Sequence, residues 1–248
     1  MDKIMKTKIL LPILLLTLYS QAQTPINKSI PITGGQKIEM HFDYPKLIKI
    51  TTWEKNEIAI LGSVTINGGE NDNAFVLENA TANNVITIRN EIKNLKDLPH
   101  RITIQNGVQK ISFKNQAEFD KYQQEQGHPV SDRMSTGVDM DIQIEIKVPR
   151  NIETKMESIY GMVEVKDFAG QLTIQAPYGG VDAAVVEKSI GELTAKTNYG
   201  EIYSNLAVKF SADHLKQGDF QTLVFAKPGL GPHYYFESKY GNIYLRKI

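Results

Sequence analysis

The sequence predicts an all-β protein: a β-solenoid of Tyr-Gly rungs about 20 residues long, with a strand-rich N-terminal part and a short helical insert. Three observations carry this expectation. Short runs of alternating apolar and polar residues recur along most of the chain, a Tyr-Gly pair repeats four times in matching contexts, and only one stretch has a helical pattern. Cysteine is absent from all 248 residues. Disulfides, thiol nucleophiles and zinc–thiolate sites are thereby excluded, and stability rests on packing and hydrogen bonding.

The chain opens with MDKIMKTKILLPILLLTLYSQAQ. Lys3, Lys6 and Lys8 precede an apolar block from Ile9 to Leu18, and Ser20, Gln21 and Ala22 follow it. Basic residues, a short apolar run and a small-x-small site define a secretory signal peptide over residues 1–22. A membrane anchor is the competing reading, but a span needs about 20 apolar residues and Pro12 interrupts this shorter run. No cysteine follows Ala22, so an N-terminal lipidated cysteine is excluded. The expected location is therefore the periplasm, the cell surface or the medium, with no transmembrane segment in the mature chain. Removing the leader takes 28 basic and 28 acidic residues to 25 and 27. A net charge near −2 lacks the basic footprint of a nucleic-acid binder, and nucleic acid is not an expected partner.

Residues 23–114 read as an N-terminal β-strand region. KIEMHF, LIKITTW, EIAILGSVTI, AFVLE, NVITIRN, RITIQ and QKISF alternate or run apolar, with Gly34-Gly35, Asn67-Gly68-Gly69 and Asn83-Asn84 as turns between some of them. Residues 115–136 break the pattern and read as a polar insert with a short helix. Asn115 with Glu118 three residues later forms a capping-box signal, Phe119 and Tyr122 share a helical face, and Gly127 suits the C-terminal stop. The insert is expected to decorate one end or face of the sheet, or to serve as a partner-binding arm.

Residues 137–248 form the repeat region. VDMDIQIEIKVP places Met140, Ile142, Ile144, Ile146 and Val148 on one face and Asp139, Asp141 and Glu145 on the other. Four segments then align without gaps: TKMESIYGMVEV, LTIQAPYGGVDA, LTAKTNYGEIYS and YYFESKYGNIYL. Their pairs are Tyr160-Gly161, Tyr178-Gly179, Tyr199-Gly200 and Tyr240-Gly241. Eleven tyrosines and 18 glycines in 248 positions would give about 0.8 such pairs by chance, so four mark a repeat. The last interval, 41 residues, is about two periods, and KQGDFQTLVF is expected to fill it as a degenerate copy. Tyrosine and glycine are thus expected at structural corners, with glycine supplying positive φ or a close backbone approach. The residues that vary around the corner are the candidates for contact: Glu201, Tyr203 and Tyr244.

Catalytic chemistry finds little purchase. His41, His100, His128, His214 and His233 are dispersed, with no metal-binding spacing. The variable positions carry no repeated oxygen ligand, as a calcium repeat would require, and no cofactor is expected. Asp139, Asp141 and Asp182 are the carboxylates that a polysaccharide lyase or hydrolase would use. Trp53, the single tryptophan, is either a sugar-stacking platform or a strand-end cover for core.

IKITTWEKNEIAILGSVTI, KVPRNIETKMESIYGMVEVKDFAGQLTIQAPYGGVDA and IGELTAKTNYGEIYSN together resemble the bacterial putative-adhesin family of β-strand-repeat domains, including autotransporter-adhesin-like members. The resemblance covers residues 137–248 and, more loosely, 27–113. It implies an exported, solenoid-like protein and brings no catalytic residues with it; the leading expectation is a non-enzymatic binding module of the cell envelope. Its partner would be an envelope or surface protein, a polysaccharide or a second copy of itself. A carbohydrate-active enzyme and an accessory of an envelope-sensing system are the alternatives.

Overall fold

The computed structural model describes residues 23–106, 109–127, 133–211, 216–218 and 220–248. The signal peptide expected over 1–22, His128 and His214 lie outside the described residues. No helix among the described residues is long and apolar enough to cross a membrane.

The first strands are β1 (Thr24–Pro31), β2 (Lys37–Phe42), β3 (Leu47–Trp53), β4 (Glu57–Ile66), β5 (Phe75–Ala82), β6 (Val85–Ile92), β7 (Arg101–Asn106) and β8 (Gln109–Phe113). Helix α1 (Gln116–Gln126) follows, then β9 (Arg133–Gly137) and β10 (Met140–Pro149). The repeat region supplies β11 (Thr154–Ser158), β12 (Met162–Lys166), β13 (Leu172–Ala176), β14 (Val181–Val185), β15 (Glu192–Thr197) and β16 (Ile202–Ser204). The last strands are β17 (Lys216–Gly218), β18 (Gln221–Ala226), β19 (His233–Ser238) and β20 (Ile243–Lys247).

One sheet runs β1-β4-β10-β3-β12-β14-β20-β16 and a second runs β17-β18-β15-β19-β13-β11-β2-β6-β5. Period-two alternation directs one face of each strand inward, as in β10, where Ile142, Ile144, Ile146 and Val148 are buried. Ile48, Val163, Val181 and Ile243 from the first sheet share one core with Ile38, Met156, Ile174 and Phe236 from the second. Each fully buried Ile or Val contributes about 1.5–3 kcal/mol relative to exposure. A third sheet, β8-β7-β9, stands apart. Ile104 and Phe113 from it pack with Phe119 of α1 in a separate small core. Asn115 caps α1 by accepting the Glu118 amide at 3.0 Å, and Gly127 ends it with φ 71°.

This arrangement overturns the β-solenoid. In a solenoid each turn stacks on the turn before it. Here β19 lies between β13 and β15, and β20 between β14 and β16, so the last repeat is inserted between the second and the third. Antiparallel strands extend both large sheets, through β4 against β10 and β1, β18 against β15, and β5 against β6. The result is mixed sheets without a closed coil. Of the stretch 216–225, expected as a degenerate repeat, Lys216–Gly218 instead forms β17 and pairs antiparallel with β18. A sequence period reports the shape of a unit; equivalent strand edges let the units stack out of order.

Candidate binding face

In every repeat the chain leaves the second sheet, turns at Tyr-Gly and enters the first: β11 to β12, β13 to β14, β15 to β16 and β19 to β20. The glycines are required by the neighbour. A Cβ on Gly161 would overlap the carbonyl oxygen of Pro45, one on Gly179 that of Gly161, one on Gly241 that of Gly179, and one on Gly200 that of Gly241. None of the four has positive φ, so close approach is the whole reason for glycine here.

Two hydroxyls fasten the crossings together. Thr197 Oγ1 donates to the Gly241 carbonyl at 2.9 Å and accepts the Gly200 amide at 3.2 Å. Ser238 Oγ donates to the Gly179 carbonyl at 2.9 Å and accepts the Gly241 amide at 2.8 Å. Backbone amides of Tyr178, Tyr199 and Tyr240 bond to carbonyls of the adjacent crossing, at Ile159, Lys239 and Pro177.

Register then aligns the tyrosines into a column. Tyr160–Tyr178, Tyr178–Tyr240 and Tyr240–Tyr199 stack with ring centroids 5.4, 5.2 and 5.1 Å apart and planes within 22°. These four rings are 46 to 61% exposed. Because they stack, the exposed half of each ring is its edge, not its face. The column is longer than the repeat. Tyr44 joins it at 6.5 Å from Tyr160, and Phe220 tilts onto Tyr199 at 5.8 Å. Sequence reasoning missed Tyr44 because proline follows it, although β2, Tyr44-Pro45 and β3 make the same crossing in register with β11 and β12. The signal was KIEMHFDYPKLIKI, with tyrosine two residues beyond the strand, as in the repeats.

The candidate contact residues lie on the far side of the corner. Tyr203 and Tyr244 stack at 5.2 Å, with Arg246 5.3 Å above Tyr244. Tyr203 donates its hydroxyl to Glu201, which pushes the phenol's pKa up. Trp53 is half-buried at the end of β3, donates Nε1–H to the Glu57 carbonyl at 2.8 Å and carries Lys55 over its ring.

At the Tyr44 end the column opens into a cleft of about 840 Å³ between Tyr44, Tyr160, the third sheet and the start of β10. Burial, reinforced by Asp43 and then Tyr160, raises the Tyr44 pKa. Asp139 and Asp141 both line the cleft, Asp139 paired with Lys110 and Asp141 3.7 Å from Lys46. Asp182 is not among the lining residues and is held by Arg246 at 2.6 Å. The three carboxylates therefore do not converge.

No protein-family model and no curated protein matches the chain. Among solved structures, one from Clostridium sporogenes, described as a putative cell adhesion protein, aligns at 11% identity and TM-score 0.50, over 92% of this chain and all of that one. One from Bacteroides fragilis, described as a putative adhesin, aligns at 10% identity and TM-score 0.32, over 92% and 99%. The first comparison establishes a shared fold.

Proposed function

We propose that the protein is an exported, non-enzymatic interaction module that engages a component of the cell envelope along its tyrosine column. One observation carries the reading: five tyrosines and Phe220 form a continuous, largely exposed aromatic strip across one edge of the molecule. Contiguous aromatic surface of this kind is characteristic of interaction sites. The leader-like N-terminus, the family resemblance and the fold shared with a structure described as a cell adhesion protein support it. A lyase or hydrolase would need a proton-exchanging group aimed at bound substrate. The two cleft carboxylates are instead engaged by lysines.

The test separates contact from scaffold. Tyr178→Phe with Tyr240→Phe keeps the stack and removes two hydroxyls. Retention on intact envelopes should weaken by about tenfold, the value of one or two lost hydrogen bonds, with an unchanged thermal midpoint. Unaltered retention, in this variant and in Tyr178→Ser, would make the column a scaffold alone. Release of sugar fragments from envelope polysaccharide would overturn the non-enzymatic reading.

A further inference from the structure

The charges along the column and in the cleft together specify a ligand. The column is aromatic edge with one cation beside it, Lys239, 5.2 Å from the Tyr240 ring centroid. The cleft adds Lys46, Lys96, Lys110 and Arg133 against Asp139 and Asp141, an excess of two positive charges in a chain of formal charge zero. Lys110 and Lys46 face the two aspartates, so the excess resides on Lys96 and Arg133, both exposed and without an ion-pair partner among the described residues. Tyr44 and Tyr160 belong to both features, which makes them one continuous groove.

Spacing selects the polymer. The four repeat tyrosines advance by 5.1 to 5.4 Å, and the step from Tyr160 to Tyr44 at the cleft is 6.5 Å. An extended peptide lying along the column would present same-face side chains every ~6.6–6.8 Å and lose register within a few rings. An extended chain of equatorially linked pyranoses advances one sugar per repeat tyrosine and turns alternate sugars over, so every second phenol edge meets an equivalent hydroxyl and register is kept. Resting on the binding role proposed above, we infer that the groove takes a linear anionic polysaccharide, its sugars along the tyrosine column and its carboxylates or sulfates in the Lys96–Arg133 cleft. Ring faces remain occupied by one another, so recognition uses phenol edges and hydroxyls rather than sugar-face stacking.

The test is calorimetric titration of the mature chain with mannuronate hexasaccharide, cellohexaose and hexaglutamate. The uronate should bind at least tenfold more tightly than either control and weaken with added salt. Lys96→Glu with Arg133→Glu should weaken it at least tenfold without changing the thermal midpoint. The Tyr178→Phe, Tyr240→Phe variant should weaken both sugars together. Equal binding of cellohexaose, or indifference to charge reversal, would overturn the anionic assignment. Equal binding of hexaglutamate would overturn the choice of a glycan. If no sugar binds while the phenylalanine variant still loses envelope retention, the inference fails and the binding role stands. Doubled mass in sedimentation with no sugar binding would assign the strip to a second copy of the chain.

Discussion

Between Thr154 and Lys247 the chain repeats one crossing, and each crossing is fitted to the backbone of the next one; between Arg101 and Gly137 it builds a small lobe on three buried side chains, Ile104, Phe113 and Phe119. The two regions resist change differently. In the crossings the tolerance is set by carbonyl oxygens, which cannot move without shifting a strand in each sheet. In the lobe it is set by a few side chains at the end of a hairpin, clustered apart from the large core. The close backbone contacts are concentrated where the aromatic column is built, and the lobe supplies one wall of the charged cleft beside it.

The sharpest way to break this comparison is Gly179→Val. Its Cβ would overlap the Gly161 carbonyl oxygen from the middle of the stack, so a loss above about 4 kcal/mol, or failure to fold, is expected in urea denaturation. A midpoint near wild type would show that the backbones can part. Phe119→Ala is the counterpart in the lobe. It should cost about 3 kcal/mol, confined to local opening: hydrogen exchange should quicken in β7, β8 and α1 while β11 to β15 stay protected. Loss of protection throughout would make the lobe part of the main cooperative unit.

Ser238→Ala falls below both. It removes the hydroxyl that joins Gly241 to Gly179 and leaves a carbonyl and an amide short of a partner, for an expected cost of about 1–3 kcal/mol. The equivalent position in the second repeat is Ala176, which makes no such bridge. Ala176→Ser should therefore not restore what Ser238→Ala loses.

Legibility followed the same division. The Tyr-Gly period could be read because one steric condition acts at every crossing and leaves the same residue each time. Tyr44-Pro45 escaped because Pro45 ends the series: it supplies the carbonyl that Gly161 must avoid and carries no glycine of its own. The start and stop of α1 are written in Asn115, Glu118 and Gly127, since capping is local. Stacking order was not readable, because β19 can pair in parallel with either neighbour of its final place and only the assembled sheet decides. The cleft was invisible for a similar reason. Lys46, Lys96, Lys110 and Arg133 come from four separate segments, and nothing local in the chain announces their convergence.

The smallest effect concerns the outer face of the second sheet, where charge rather than packing ties the repeats together. Burial tends to raise the Glu237 pKa, but hydrogen bonds from Lys196 at 2.8 Å and Tyr235 at 2.8 Å, with Gln175 at 3.5 Å, outweigh it and leave the carboxyl below its ordinary value. Glu237 therefore adds stability that is present above the unfolded carboxyl's pKa and lost as pH falls through the lower folded value. Tyr235 titrates at the other extreme. Burial, and then its bond to Glu237, push its phenol up to about 12 from 10.0. The unfolded chain releases that proton first, so stability declines as pH rises from about 10 to about 12. Urea midpoints across pH should fall at both limbs; Glu237→Gln should flatten part of the acid limb, and Tyr235→Phe part of the alkaline one. Because the bonds from Gln175 and Lys196 to Glu237 link β13, β19 and β15, an unchanged acid limb in Glu237→Gln would mean that this charge network does not help to hold the inserted repeat.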